Sequence, residues 1–158
     1  MIVKTLARLP LWKSKTGCDA IKFTSNGVMI IIEYSYFAEG KEYIGAVHLD
    51  AVMAHKFANE PNTQGLIIGG YGASAEANGL ALVRELIEKA TDSVAEVEDS
   101  PWVKQMIERS PEHTWPFRKR HFVMDLSNNG FFEIIADDFK LPPPREGSLP
   151  RLDDANKS

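Results

Sequence analysis

Residues 118–139 read RKRHFVMDLSNNGFFEIIADDF, two strand-like runs joined by a tight turn. A two-residue turn at Asn129-Gly130 would set Leu126 opposite Glu133 and Phe122 opposite Asp137, mixing charge into both faces. A three-residue loop, Asn128-Asn129-Gly130, sets Leu126 opposite Phe132, Met124 opposite Ile134 and Phe122 opposite Ala136, so that one face is wholly apolar. That loop length is a common hairpin type, and Gly130 takes a positive φ at little cost. The same register places His121 opposite Asp137 and Asp125 opposite Glu133 and turns all four outward, onto a half-polar face. Opposed like charges are unfavourable by about 0.2–1 kcal/mol in a solvated sheet, so Asp125 and Glu133 call for a neighbouring cation or a partner's basic side chain.

Upstream, AIKFTSNGVMIIIEYSYF (20–37) carries Asn26-Gly27 between two further strand-like runs. A two-residue turn there pairs Ser25 with Val28, Phe23 with Ile30 and Ile21 with Ile32. Ala38-Glu39-Gly40-Lys41 is the next turn, and strands follow at EYIGAVHL and AVMAHKFA. The pattern up to this point is an antiparallel meander with short connections.

The middle of the chain changes character. Residues 62–79, NTQGLIIGGYGASAEANG, read as a Gly-rich loop. LALVRELIEKA has the spacing of an amphipathic helix, with Leu80, Val83, Leu86 and Ile87 on one side. SVAEV (93–97) reads as a strand, and Ser100 followed by Pro101 is the N-cap and first position of a second helix that ends before Pro111. The tail LPPPREGSLPRLDDANKS has the composition of an extended, poorly ordered end. The expected architecture is therefore α+β: a single domain over residues 1–140, an antiparallel meander sheet of about six or seven strands with two helices on one face, and a tail at 141–158.

Composition narrows the function classes. The chain has 158 residues and a net charge of −4, without the basic stripe of a nucleic-acid binder. Its longest apolar run, VMIII, is too short to cross a bilayer, and the N-terminus lacks the pattern of a secretion signal; a cytoplasmic protein is expected. A lone Cys18 supports neither an internal disulfide nor a Cys-based zinc site. His48, His55, His113 and His121 lack metal-ligand spacing, although His48 and His55 lie on adjacent strand segments. No nucleotide-binding fingerprint, phosphate loop, nucleophile elbow or Cys-centred signature is present, and no cofactor is implied.

Two constellations are left. Asp125 and Glu133, with His121 nearby, form a candidate acid/base pair, because two close carboxylates push one pKa upward. Glu96, Glu98 and Asp99, together with Asp50, Glu60 and the Asp137–Asp138 pair, form a candidate acidic patch for a basic protein. Tyr71, Trp102 and Trp115 are candidate aromatic anchors for the same purpose, with a place in the core as the alternative for Trp102.

VAEVEDSPWVKQM followed by RHFVMDLSNNGFFEIIADDF resembles the closing section of a group of small bacterial cytoplasmic proteins. Their pattern is an acidic E-x-x-DS-x-W stretch, then RH with a strand, then G-x-FE-x-IA. IGAVHLDAVMAHKF is similar to their middle strand pair. Some proteins of this appearance serve as immunity proteins that neutralise a toxin. The resemblance implies a non-catalytic protein whose partner is a cognate, basic toxin, with Tyr71, Glu96, Glu98, Asp99, Trp115, Asp125, Glu133 and Asp137 as candidate contact residues. Two alternatives stay open: a small enzyme built on Asp125 and Glu133, and an assembly subunit pairing through a sheet edge. The sequence does not indicate an oligomeric state.

Overall fold

A computed structural model describes residues 2–58, 84–109, 119–126 and 129–150. The fold is α+β, but among the described residues ten strands are divided between two antiparallel sheets rather than gathered into one meander. The first sheet runs, in spatial order, β1 (Ile2–Arg8), β6 (Ser93–Glu98), β7 (Arg120–Leu126), β8 (Gly130–Ala136) and β5 (Ala54–Ala58). The second runs β10 (Arg145–Glu146), β4 (Lys41–Asp50), β3 (Ile30–Ala38) and β2 (Cys18–Ser25), with β9 (Asp138–Lys140) also paired to β4. A short 3-10 helix covers Pro10–Lys13. Helix α1 is described over 84–90, and helix α2 spans Pro101–Arg109.

The main core lies between the sheets. Ile30, Ile32, Tyr34, Val47 and Leu49 from the second sheet meet Val94, Phe122, Met124, Leu126, Phe132 and Ile134 from the first. Burying each such aliphatic or aromatic side chain is worth about 1.5–3 kcal/mol. Gly45 is required here: a Cβ on it would sit 2.3 Å from the Tyr34 ring. On the far face of the first sheet, Leu86 and Ala90 of α1 pack on Val3, Ala95, Val97, Val123 and Phe131. Helix α2 docks on that same face through Trp102, so both helices share one side of one sheet, as the periodicity predicts.

The turn at Glu39-Gly40 forms as read, with φ of 53° and 76° and Ala38 paired to Lys41. Both Asn-Gly hairpins form, but each is slipped by two residues. Phe23 pairs with Ile32 rather than Ile30, because Asn26 Oδ1 accepts from the Val28 and Met29 amides (3.1 and 2.7 Å) and widens the loop. In the last hairpin Leu126 pairs with Gly130, Met124 with Phe132 and Phe122 with Ile134, and the Asn129 amide donates to the Leu126 carbonyl at 2.8 Å. A two-residue slip preserves which side chains share a face, so the inward-facing sets are those the alternation indicates. The slip also sets Asp125 opposite Phe131 and Glu133 opposite Val123, which removes the opposed carboxylates.

The other face of this hairpin is not wet. β8 is buried along its whole length, with the second sheet on one side and the helix-covered layer on the other. His121 and Glu133 are 0% and 1% exposed, which corrects the outward placement expected for them.

The meander also breaks after β4. The chain crosses from the second sheet to the first over 51–53, where Ala51 has φ 52° and the Met53 amide donates to Ile135. It crosses back at Asp137, whose amide donates to Asp50 at 3.0 Å. Lys119 ties the two crossings together, its ammonium 2.8 Å from both the Ala51 carbonyl and Asp137 Oδ1.

The proline tail is extended over residues 141–150, as expected, but it is docked on the second sheet rather than poorly ordered. Arg145 pairs with Ile44 and bonds Glu33 at 3.2 Å, the Gly147 amide reaches the Glu42 carbonyl, and Leu149 is buried. Residues 151–158 lie outside the described residues. Among the described residues no helix is long and apolar enough to cross a membrane.

Candidate functional site

The strand β6 ends in an abrupt reversal. Asp99 takes φ 55°, and Ser100 then caps α2: its hydroxyl oxygen accepts from the Val103 amide at 3.3 Å, and its carbonyl accepts from Lys104 at 3.2 Å. The reversal tucks the Ser100 side chain beneath the sheet face that carries His121. Ser100 Oγ lies 2.8 Å from His121 Nδ1, and His121 Nε2 lies 3.0 Å from Glu133 Oε1. The Trp102 ring meets the imidazole edge-on at 5.1 Å and 77°. A carboxylate oxygen accepts, so the ring proton belongs on Nε2, and Nδ1 offers its lone pair to the Ser100 hydroxyl. The polar chain therefore runs in one direction, from the Val103 amide through serine and histidine to glutamate. All three side chains are at least nine-tenths buried, and removing one would leave a buried neighbour unpaired at a cost of about 1–3 kcal/mol, more where that neighbour is the carboxylate.

A cavity of about 300 Å³ opens above this chain, lined by Ser100, His121, Glu96, Glu98 and Asp99, with Lys104, Lys119 and Arg120 on its walls. Arg120 grips Glu96 with two hydrogen bonds, Nε to Oε2 at 2.6 Å and Nη2 to Oε1 at 3.1 Å. It also reaches Asp138 at 3.5 Å and lies over the Phe122 ring at 4.9 Å. Asp99 pairs with Lys104 at 2.6 Å, and that hydrogen bond holds its carboxyl below the ordinary range. Glu98 is exposed beside it.

Most of the described sequence-derived residues thus gather around one cleft. Glu96, Glu98 and Asp99 line it, Glu133 underlies it through His121, and Asp137 adjoins it through Lys119. Asp125 does not join them. It sits beside Thr91, whose hydroxyl donates to Oδ2 at 3.5 Å, and its carboxyl is raised by burial first and then by Asp92. The expected Asp125–Glu133 pair is therefore not directly opposed, and the carboxylate next to Asp125 is Asp92. Glu60, Tyr71, Trp115 and the Gly-rich segment lie outside the described residues. His48 and His55 are on different sheets, His48 paired across from Lys140 and His55 tilted against Phe23 at 5.4 Å.

The basic residues Lys119 and Arg120 do reach nearby carboxylates, as their place beside the strand suggests, and the residue missed by sequence reasoning is Ser100 as a site group. Ser100 was legible only as a helix cap. The one available signal was that DS-x-W, RH and FE, the fragments that carry the resemblance, contain the whole Ser100–His121–Glu133 chain.

Two other concavities hold none of these groups. One of about 560 Å³ is lined by Trp12, Tyr34, Tyr36, Tyr43 and the prolines 142–144. The other, about 360 Å³, lies between β2 and β5 around Phe23, Phe57 and Phe132. Comparison of the chain with models of protein families, with curated proteins and with solved structures finds no match.

Proposed function

We propose that the protein is a binding protein of the immunity type, which neutralises a basic bacterial toxin by direct contact through the Ser100 cleft. The observation that carries this reading is the fixed acidity of the cleft's rim. Glu96, Glu98 and Asp99 line the cleft together with Lys104, Lys119 and Arg120, and Asp137 and Asp138, which pair with Lys119 and Arg120 beyond the lining, bring the local carboxylates to five against three cations. Glu96 is locked by the fork of Arg120, and Asp137 is locked by a nearly buried ammonium, so a partner meets charges that need no reordering. Glu98 and Asp99 stand outermost and are placed to steer a basic surface inward.

The test is growth rescue. Co-expression should protect cells from the toxin encoded beside this chain, and the double substitution Glu98→Lys with Asp99→Lys should weaken protection and slow association most at low salt, with the fold intact. Full protection by the charge-reversed protein would overturn the assignment of the surface. No protection by the unaltered protein would overturn the function.

A further inference from the structure

The geometry points to an activity beyond partner binding: Ser100, His121 and Glu133 form a nucleophile–base–orienter relay that hydrolyses small carboxylic esters in the cleft. The three roles are recognised by contact rather than by sequence order. The Ser100 hydroxyl is 2.8 Å from a ring nitrogen, and the other ring nitrogen is 3.0 Å from a carboxylate that fixes the tautomer. The imidazole is turned the opposite way from that of the Ser-His-Asp proteases, Nδ1 rather than Nε2 facing the hydroxyl. Either nitrogen serves as base once the other is held as N–H.

The surroundings supply the other requirements. The cavity over Ser100 and His121, about 300 Å³, is at the small end of ligand sites, which suits a short acyl group. Ser100 caps a nine-residue helix, so the positive end of α2 lies at the reacting oxygen. Lys104, held by Asp99 at 2.6 Å, and Arg120, held by Glu96, also line the cavity, so the helix end is the positive group at the reacting oxygen.

In the first step the Ser100 Oγ–acyl carbon bond forms as the hydroxyl proton moves to His121 Nδ1. The ester C–O bond then breaks, and the same proton leaves on the departing alcohol. In the second step water attacks the acyl-serine with Nδ1 taking its proton, the carboxylic acid departs, and that proton returns to Oγ. Glu133 is a positioning residue, holding Nε2–H throughout and stabilising the imidazolium.

The experiment treats the full chain with a fluorophosphonate probe, followed by intact mass and peptide mapping, alongside p-nitrophenyl acetate turnover across pH. The expected result is a single adduct on Ser100 and a measurable esterase rate. Ser100→Gly, which keeps an acceptable helix cap, should abolish both. Glu133→Gln should slow labelling by about 100-fold or more while the circular dichroism is unchanged. A folded wild-type protein that takes up no probe overturns the proposal, as does an adduct that persists in Ser100→Gly. Neither result bears on toxin neutralisation, which the growth assay reads separately.

Discussion

The register of the last hairpin brings His121 and Glu133 together under the cleft, and Gly130→Ala tests it. Gly130 has φ +131°, a region that costs a residue with a side chain about 1–3 kcal/mol. A Cβ there would also lie 2.1 Å from Phe57 Cε2 and 2.7 Å from Cζ. Phe57 is 48% exposed, so its ring can swing away rather than be crushed. Swinging away forfeits its contact with Phe132, now at 5.0 Å between centroids, and such a pair is worth about 0.5–1.5 kcal/mol. The single substitution should therefore destabilise by about 2–4 kcal/mol. In a Phe57→Ala background the ring is gone and only backbone strain remains. The two losses should then be sub-additive by about 0.5–1.5 kcal/mol. Urea unfolding of the four proteins, followed by tryptophan emission and circular dichroism, reads the coupling. In the register with Leu126 opposite Phe132, Gly130 belongs to the turn and has no relation to Phe57. Additivity within about 0.3 kcal/mol would refute the observed pairing and with it the meeting of His121 and Glu133 on the helix side.

Two further outcomes follow from buried charge. Lys119→Met should destabilise by about 2–3 kcal/mol, below the full penalty for a broken buried pair because Asp137 keeps 33% side-chain exposure. High salt should not reproduce the effect in the unaltered protein, since the ammonium is only 3% exposed; urea midpoints at two ionic strengths check both statements. Asp125→Asn should stabilise at neutral pH. The folded carboxyl is held above its ordinary 3.8 by burial and by Asp92, so the native state binds more protons than the unfolded chain between those two values. Stability falls as pH rises through that window and the whole penalty is present above it. Thermal melts should show a higher Tm for the variant at pH 7 and no difference below the window; an equal gain at both would refute the electrostatic cause.

Much of the fold was legible because the hydrophobic alternation is strong. The alternation around Phe122, Met124, Leu126, Phe132 and Ile134 marks an inward face that survives the two-residue slip. Period-two patterning cannot tell apart registers that differ by two residues, and the tie is broken by contacts far along the chain, such as Phe57 on Gly130. The division into two sheets was hidden for a related reason. Ala51 and Asp137 turn the chain between sheets without a Gly or Pro to mark the corner, and Lys119, more than sixty positions from Ala51, hydrogen-bonds the Ala51 carbonyl and ion-pairs with the Asp137 carboxylate. β10 has only two residues and no alternation, and it is held by Arg145 on Glu33 rather than by a pattern of its own.

The site itself was less legible, and the cause is specific. His121, Asp125 and Glu133 share a face with Val123, Phe131 and Ile135, and three charged or polar residues suggested water on that side. The apolar residues alternating with them were the better guide, because FFEIIA is nearly continuous and a continuous run marks a strand covered on both faces. Once that face is under the helices, a buried histidine and a buried glutamate must find partners or leave the interior. They find each other, and Ser100 completes the set from the cap of α2. The serine's second role depends on where α2 docks, which the left-handed Asp99 and the burial of Trp102 decide and no local spacing encodes. The burial that makes these three residues costly to change also lines them up for proton transfer, and only a reagent that enters the cavity and reports on the serine oxygen separates a lock from a reactive site.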